Sequence, residues 1–240
     1  MPYNRVIAFG DSFTRGDELA DWNALRQKSP LRSSQFTWPA LIAKSLNCDY
    51  KCCAIGGKGN QWISWQVASR IEQDTLCIVN WSWFERFDYI DVVTDQWKTT
   101  HPRHEDKLNH YFYRNLDNDM WNLFRNLQQM HSTICYLKQL NIDFIMTCLD
   151  NMYTTDITKL RSDIEFEALG INQWTNSISG LQEQVIPHIV DFEGISFLEW
   201  SKHNSFELGP TGHPLEKAHA EAANYILDKC NKYLYNKRIE

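Results

Sequence analysis

The chain has 240 residues and a formal charge of −6, enough length for one compact domain with a full core and no Pro/Gly/Ser-rich linker to divide it. Its 24 Lys and Arg are scattered rather than grouped, so no basic footprint for nucleic acid exists. No apolar run approaches the ~18 residues of a membrane span, and MPYNRV at the N-terminus lacks the charged-then-apolar layout of a secretion signal, so a cytoplasmic chain is expected. In chain order, RVIAF at 5–9 is a short apolar run closed by Gly10-Asp11-Ser12, which suits a strand buried on both faces. TWPALIAKSL then carries Trp38, Leu41, Ile42 and Ser45 at helical spacing, with Pro39 tolerated in the first turn. DYKCCAI alternates as a second strand; GGKGN and a helix carrying Ile63, Val67 and Ile71 follow, and TLCIV at 75–79 is a third buried run.

Residues 84–119 break this rhythm, being dense in charge, His and aromatic side chains without a clean period. A stretch of that length inside a compact domain is expected to be an insertion or lid over the site. The strongest helical stripe comes next: Met120, Leu123, Phe124, Leu127, Met130, Ile134, Leu137 and Leu140, in steps of three and four. It leads into IDFIMTCL at 142–149 as a fourth strand. A weaker helix is predicted over 160–169, a fifth strand near 188–192 in PHIVDF, and an amphipathic helix over about 215–235. Strands alternating with helices imply parallel pairing through right-handed crossovers, hence a three-layer α/β/α sandwich on a mostly parallel five-stranded sheet. The seven cysteines lie mostly in apolar stretches and form no CxxC pair; they read as reduced core residues rather than a disulfide framework or a zinc site.

Ligands of open parallel sheets collect at the carboxyl ends of the strands. Those ends carry Gly10-Asp11-Ser12, the loop Gly56-Gly57-Lys58-Gly59-Asn60, and Asn80-Trp81-Ser82-Trp83, while Gly212-His213-Pro214 precedes the last helix. Together they can make acyl-transfer chemistry. A serine hydroxyl needs a base to remove its proton, and imidazole is the usual one near neutral pH; Ser12 and His213 fit those roles. A developing oxyanion needs donors, and Gly59 and Ser82 are placed to supply them. Each residue also has a plainer reading: Ser12 as a helix N-cap, the glycine loop as a tight turn, Ser82 as a loop residue, His213 as surface, and His219 as packing or surface. His101, His104 and His110 sit beside Glu105 and Asp106 without a fixed zinc spacing, so no metal or other cofactor is expected. Trp81, Trp83 and Trp97 are candidates for stacking on a sugar or acyl chain.

The order of these four blocks resembles the SGNH, or GDSL-type, hydrolase family, named for Ser, Gly, Asn and His in that order. FGDSFTRG is similar to its first block, implying Ser12 as nucleophile with its N–H as an oxyanion donor. The family's second-block Asn position is Ala54 here and the Gly is Gly59; the third-block Asn position is Ser82; the last block matches at His213-Pro214, with Pro210 in the Asp position. The resemblance spans roughly residues 5–230 and implies a flavodoxin-like sandwich and hydrolysis of a small ester, such as an acetyl group on a carbohydrate. With the Asp position lost, His213 must lean on a backbone carbonyl, Glu207 or Asp191. The alternative is a carbohydrate- or ligand-binding module on the same scaffold with little or no turnover.

Overall fold

Four of the five apolar runs expected as strands pair into one parallel sheet in this computed structural model, which describes residues 3–28, 33–157 and 171–236. In chain order the described elements are β1 (Arg5–Phe9), α1 (Ser12–Arg15), α2 (Trp22–Lys28), α3 (Trp38–Ser45), β2 (Asp49–Cys52), α4 (Asn60–Arg70), β3 (Thr75–Trp81), β4 (Phe87–Asp91), β5 (Gln96–Thr100), α5 (Lys107–Asn115), α6 (Asp119–Gln139), β6 (Asp143–Cys148), α7 (Ile171–Val185), α8 (Phe197–His203) and α9 (Glu216–Asn236). The sheet order is β2-β1-β3-β6. In register, Ile7 lies beside Lys51 on one side and Cys77 on the other, and Cys77 beside Phe144. The helix predicted over 160–169 lies outside the described residues.

Strand β3 is buried at every position because helices cover both faces of the sheet. Alternate side chains divide between two cores. Ile7, Phe9, Cys77 and Val79 pack with Trp62 and Ile63 of α4, Leu123, Leu127, Met130, Ile134 and Leu137 of α6, and Ile178 of α7. Val6, Ala8, Leu76 and Ile78 face the other way, toward Trp38 and Ile42 of α3, Phe197 and Trp200 of α8, and Ala218, Ala222 and Ile226 of α9. The result is a three-layer α/β/α arrangement. The α6 stripe runs as its spacing predicts, with Met120, Phe124 and Leu140 half-buried at its margin. All seven cysteines are free thiols; Cys135 is exposed rather than in the core.

The fifth strand does not form. Around 188–192 one isolated parallel bridge joins Ile189 to Met146, with Val190 N–H donating to the Met146 carbonyl at 2.7 Å. A 3-10 turn at Ile186–His188, containing Pro187, precedes the bridge, and a turn closed by Phe192 and Ile195 follows it. Too few extended residues remain between the turns for a ladder.

The irregular stretch at 84–119 folds as an antiparallel hairpin, β4 with β5, followed by α5. Its anchor is polar. Asp88, 2 % exposed, accepts from Gly59 N–H at 3.0 Å, Trp62 N–H at 2.9 Å and the Thr99 hydroxyl at 2.6 Å. A carboxylate is well placed there, since the first turn of α4 leaves backbone N–H groups without intrahelical acceptors. Glycine at 59 is needed for this approach: a Cβ would stand 2.7 Å from Asp88 Oδ2.

Among the described residues no helix is long and apolar enough to cross a membrane. His219, on α9, is packing: it is 1 % exposed, lies against Phe197 and accepts the Trp38 N–H on Nδ1 at 3.1 Å. Burial, with His213 adding to it, depresses its pKa to about 3. The folded state therefore keeps this ring neutral while the unfolded chain protonates near the ordinary 6.5, so its stabilisation is present above pH 6.5 and declines as pH falls toward 3. We predict an acid-side stability slope of about 1.4 kcal/mol per pH unit from this one proton. Urea titrations of His219→Gln across pH 4–7 should show a lower midpoint at neutral pH and a flatter acid limb; an unchanged slope would count against this account.

Candidate active site

Ser12 sits where β1 turns into α1, and the turn is built to free its hydroxyl. Gly10 permits it, because a Cβ there would lie 2.1 Å from Thr14 Oγ1. Asp11, not Ser12, is the N-cap of α1, its carboxylate accepting from Phe13 N–H at 3.1 Å. With the cap role taken, Ser12 Oγ lies 2.8 Å from His213 Nε2. Its own N–H stands in the first turn of α1, where backbone donors lack intrahelical acceptors.

His213 is presented by a tight loop just before α9. Gly209 N–H donates to the His213 carbonyl at 2.8 Å and Gly212 N–H to the Gly209 carbonyl at 2.9 Å; Gly212 has φ 90°, a conformation that favours glycine. The Phe13 ring packs on the imidazole at 4.7 Å between centroids. At the far side of the ring, Nδ1 lies 3.0 Å from Glu18 Oε2 and 2.9 Å from Thr211 Oγ1.

The acids expected beside His213 are not there. Asp191 Oδ1 accepts from Gly194 N–H at 2.9 Å, inside the turn that ends the 189–192 segment, and the Glu207 side chain is exposed. No hydrogen bond joins either carboxylate to the imidazole among the described residues. Glu18 takes the position from the opposite end of the chain. It holds a left-handed backbone with φ 74°, a conformation that costs about 1 kcal/mol for a non-glycine residue. Its carboxylate accepts from Thr211 N–H at 2.9 Å and His213 N–H at 3.4 Å as well as from the ring. Burial works against its charge, but hydrogen bonds from the Thr211 backbone and from the His213 and Thr211 side chains outweigh it and hold its pKa below the ordinary value. An ionised Glu18 only accepts, so the imidazole proton resides on Nδ1 and Nε2 faces Ser12 as the acceptor. Glycine at 209 admits the carboxylate, since a Cβ would come 2.5 Å from Glu18 Oε2.

Both expected oxyanion donors outside Ser12 are otherwise engaged. Gly59 N–H is held by Asp88. Ser82, fully buried, donates its hydroxyl to Asp11 Oδ2 at 2.9 Å, accepts from Arg86 Nη1 at 2.6 Å and gives its N–H to Asn60 Oδ1 at 2.7 Å. The physical reason is the same in each case: a buried carboxylate lies closer than any substrate and claims the donor.

Two cavities meet at the Ser12–His213 pair. One, about 580 Å³, is lined by Arg15, Lys58, Tyr89, Trp97 and Asn109; the other, about 500 Å³, by Trp83, Arg86, His101, Leu198 and Thr211. Of the three tryptophans marked for stacking, Trp97 and Trp83 thus each line one cavity, whereas Trp81 is buried in the core. Among the described residues no three His, Cys, Asp or Glu side chains converge as a metal site. Glu18 lies in a loop without a sequence signature, and nothing local marks Gly209 as the place where its carboxylate fits.

No family model matches the chain, and no curated protein matches it either. Solved structures do. They include a protein assigned to the G-D-S-L lipolytic family from Desulfitobacterium hafniense, 11 % identical over 93 % of this chain and 97 % of that one at a TM-score of 0.44. The psychrotrophic esterase EstA of Pseudoalteromonas sp. is 12 % identical over 96 % and 98 %, TM-score 0.47. An acetyl xylan esterase, Est2A, from Butyrivibrio proteoclasticus is 12 % identical, covering 97 % of this chain and 65 % of that one, TM-score 0.47.

Proton NMR tests the orientation of the ring. A low-field imidazole resonance from Nδ1–H is expected in the wild-type protein and should be lost in Glu18→Ala. Gly209→Ala, which drives Glu18 aside, should shift or abolish it while the far-ultraviolet circular dichroism stays native. A resonance unchanged in both variants would mean that Glu18 does not hold this proton.

Proposed function

We propose that this chain is a serine esterase that cleaves small esters through an acyl-enzyme on Ser12. The observation that carries the reading is the 2.8 Å contact between Ser12 Oγ and His213 Nε2, a distance at which the base can take the hydroxyl proton. In the first step Ser12 Oγ bonds to the ester carbonyl carbon, its proton passes to His213 Nε2, and the carbonyl π pair moves onto oxygen. Collapse re-forms the C=O bond and expels the alcohol, which takes the proton back from His213. Water then repeats the sequence against the acyl group and releases the acid. Glu18 positions the ring and stabilises its cation without taking a proton itself.

We read the hairpin and α5 as the cover of the site within a single domain, since Tyr89, Trp97, Lys98, Thr99 and Asn109 line one cavity beside Ser12. The two cavities give the acyl and alcohol portions of an ester separate room on either side of Ser12, and Trp83 and Trp97 offer flat apolar faces for the alcohol portion, as a sugar ring would use. An acetylated carbohydrate fits this chemistry.

A second reading has one observation in its favour. With Gly59 N–H and the Ser82 hydroxyl both given to carboxylates, the site lacks two of its expected donors, as a binding module with little turnover would. Activity separates the two readings. For the esterase, Ser12→Ala should lower p-nitrophenyl acetate hydrolysis by ~10³-fold or more, and Glu18→Ala by up to about 10⁴-fold in kcat. A fluorophosphonate probe should label the wild-type protein at Ser12. Retained sugar binding with no labelling and no Ser12-dependent turnover would instead support the binding module.

A further inference from the structure

Arg86 is a buried cation at the floor of the site. Its side chain is 7 % exposed and its Nη1 donates to Asp11 Oδ2 at 2.8 Å, to Ser82 Oγ at 2.6 Å and to the Lys58 carbonyl at 3.0 Å. Its Nε is fully buried without an acceptor among the described residues. Nη2, by contrast, meets no acceptor among the described residues and is not sealed from the cavity as Nε is. It is therefore the guanidinium nitrogen with N–H bonds to offer, and Arg86 lines the same 500 Å³ cavity as Ser12 and His213.

The group is also held still from two sides. Asp11, its ion-pair partner, directly precedes Ser12 and caps the helix that begins there. From behind, Arg125 Nη1 donates to the Arg86 carbonyl at 2.9 Å. A buried ion pair seldom stabilises a fold better than apolar side chains of similar volume, so stability alone does not account for a guanidinium here. Its influence extends across the cavity: burial first, and then Arg86 with His104 and Arg103, depress His101 to about 4.

We propose that Arg86 is the side-chain oxyanion donor of this site, Nη2 hydrogen-bonding the oxygen that gains the carbonyl electron pair when Ser12 adds to the ester. This deepens, and rests on, the serine-esterase reading. Ser82 and Asp11 then hold the guanidinium in place, and Ser82 itself touches no substrate. Arg86 keeps all its protons throughout; it stabilises charge that His213 and Ser12 create. Preorganised donors of this kind act mainly on the transition state.

Kinetics with p-nitrophenyl acetate test this. Arg86→Lys keeps a cation for Asp11, and Arg86→Gln leaves a neutral amide too short to reach the place of Nη2; each should lose about 10²- to 10³-fold in kcat with KM changed only a few-fold. Both should weaken inhibition by a trifluoromethyl ketone, which forms a tetrahedral adduct at Ser12, by a similar factor. A merely structural Arg86 would lower the melting temperature or raise KM without this selective loss. In the wild-type protein, where folding is not in question, the Arg86 guanidinium proton resonances should move downfield on forming the adduct. Resonances that stay put, or a folded Arg86→Lys with wild-type kcat, would overturn the proposal while Ser12→Ala remained inactive. Absence of any Ser12-dependent turnover would instead remove the esterase reading and this assignment with it.

Discussion

Everything at the site hangs on one hydrogen bond between side chains 201 positions apart, Ser12 Oγ to His213 Nε2. Closing so long a loop for the sake of two polar atoms is unfavourable by itself. The sheet and its two covering layers supply the reason for the approach: β1 delivers Ser12 from the centre of the sheet, and α9, packed on the face that carries Val6 and Ala8, delivers His213. The imidazole then finds Phe13 against its plane and Glu18 against its edge. Since Phe13 and Glu18 both belong to the segment following Ser12, the hydroxyl, the ring against the imidazole plane and the carboxylate at its edge come from one short stretch of chain.

Two buried carboxylates, Asp11 and Asp88, and the half-buried Glu18 organise the surroundings. Asp11 caps α1 and binds Ser82 and Arg86; Asp88 ties the hairpin to the first turn of α4; Glu18 stitches the 209–213 loop to the N-terminal segment. Each is surrounded by N–H or O–H donors, as an anion largely withdrawn from water must be. These anions compete with substrate for donors, which explains why Gly59 and Ser82, well placed in the chain, are occupied in the fold. A guanidinium brings more N–H bonds than its carboxylate partner consumes, and Arg86 can satisfy Asp11 and still face the cavity.

Legibility followed the range of the forces involved. The strands at 5–9 and 75–79 are legible because burial on both faces makes them continuous apolar runs, and the stripe from Met120 to Leu140 because burial repeats with the period of the helix. The run at 188–192 has the composition of a strand, but turns at either end leave it only the Ile189–Met146 bridge. The hairpin at 87–100 has no strand signature because its inward anchor is Asp88, a charge where alternation calls for an apolar residue. Tyr89 and Trp97, which would have marked it, are only half-buried there and border a cavity.

The order of residue types along this chain was sufficient for the parallel α/β architecture and for singling out Ser12 and His213, since strand ends and the turns that follow them are local properties. Which acid meets the imidazole and which donors stay free were decided only in three dimensions. Those outcomes depend on competition among polar groups 29 to 195 positions apart, settled by distances of a few ångströms that no local pattern encodes. A glycine at 209 leaves just enough room for Glu18, and Asp88 arrives at Gly59 before any ligand can.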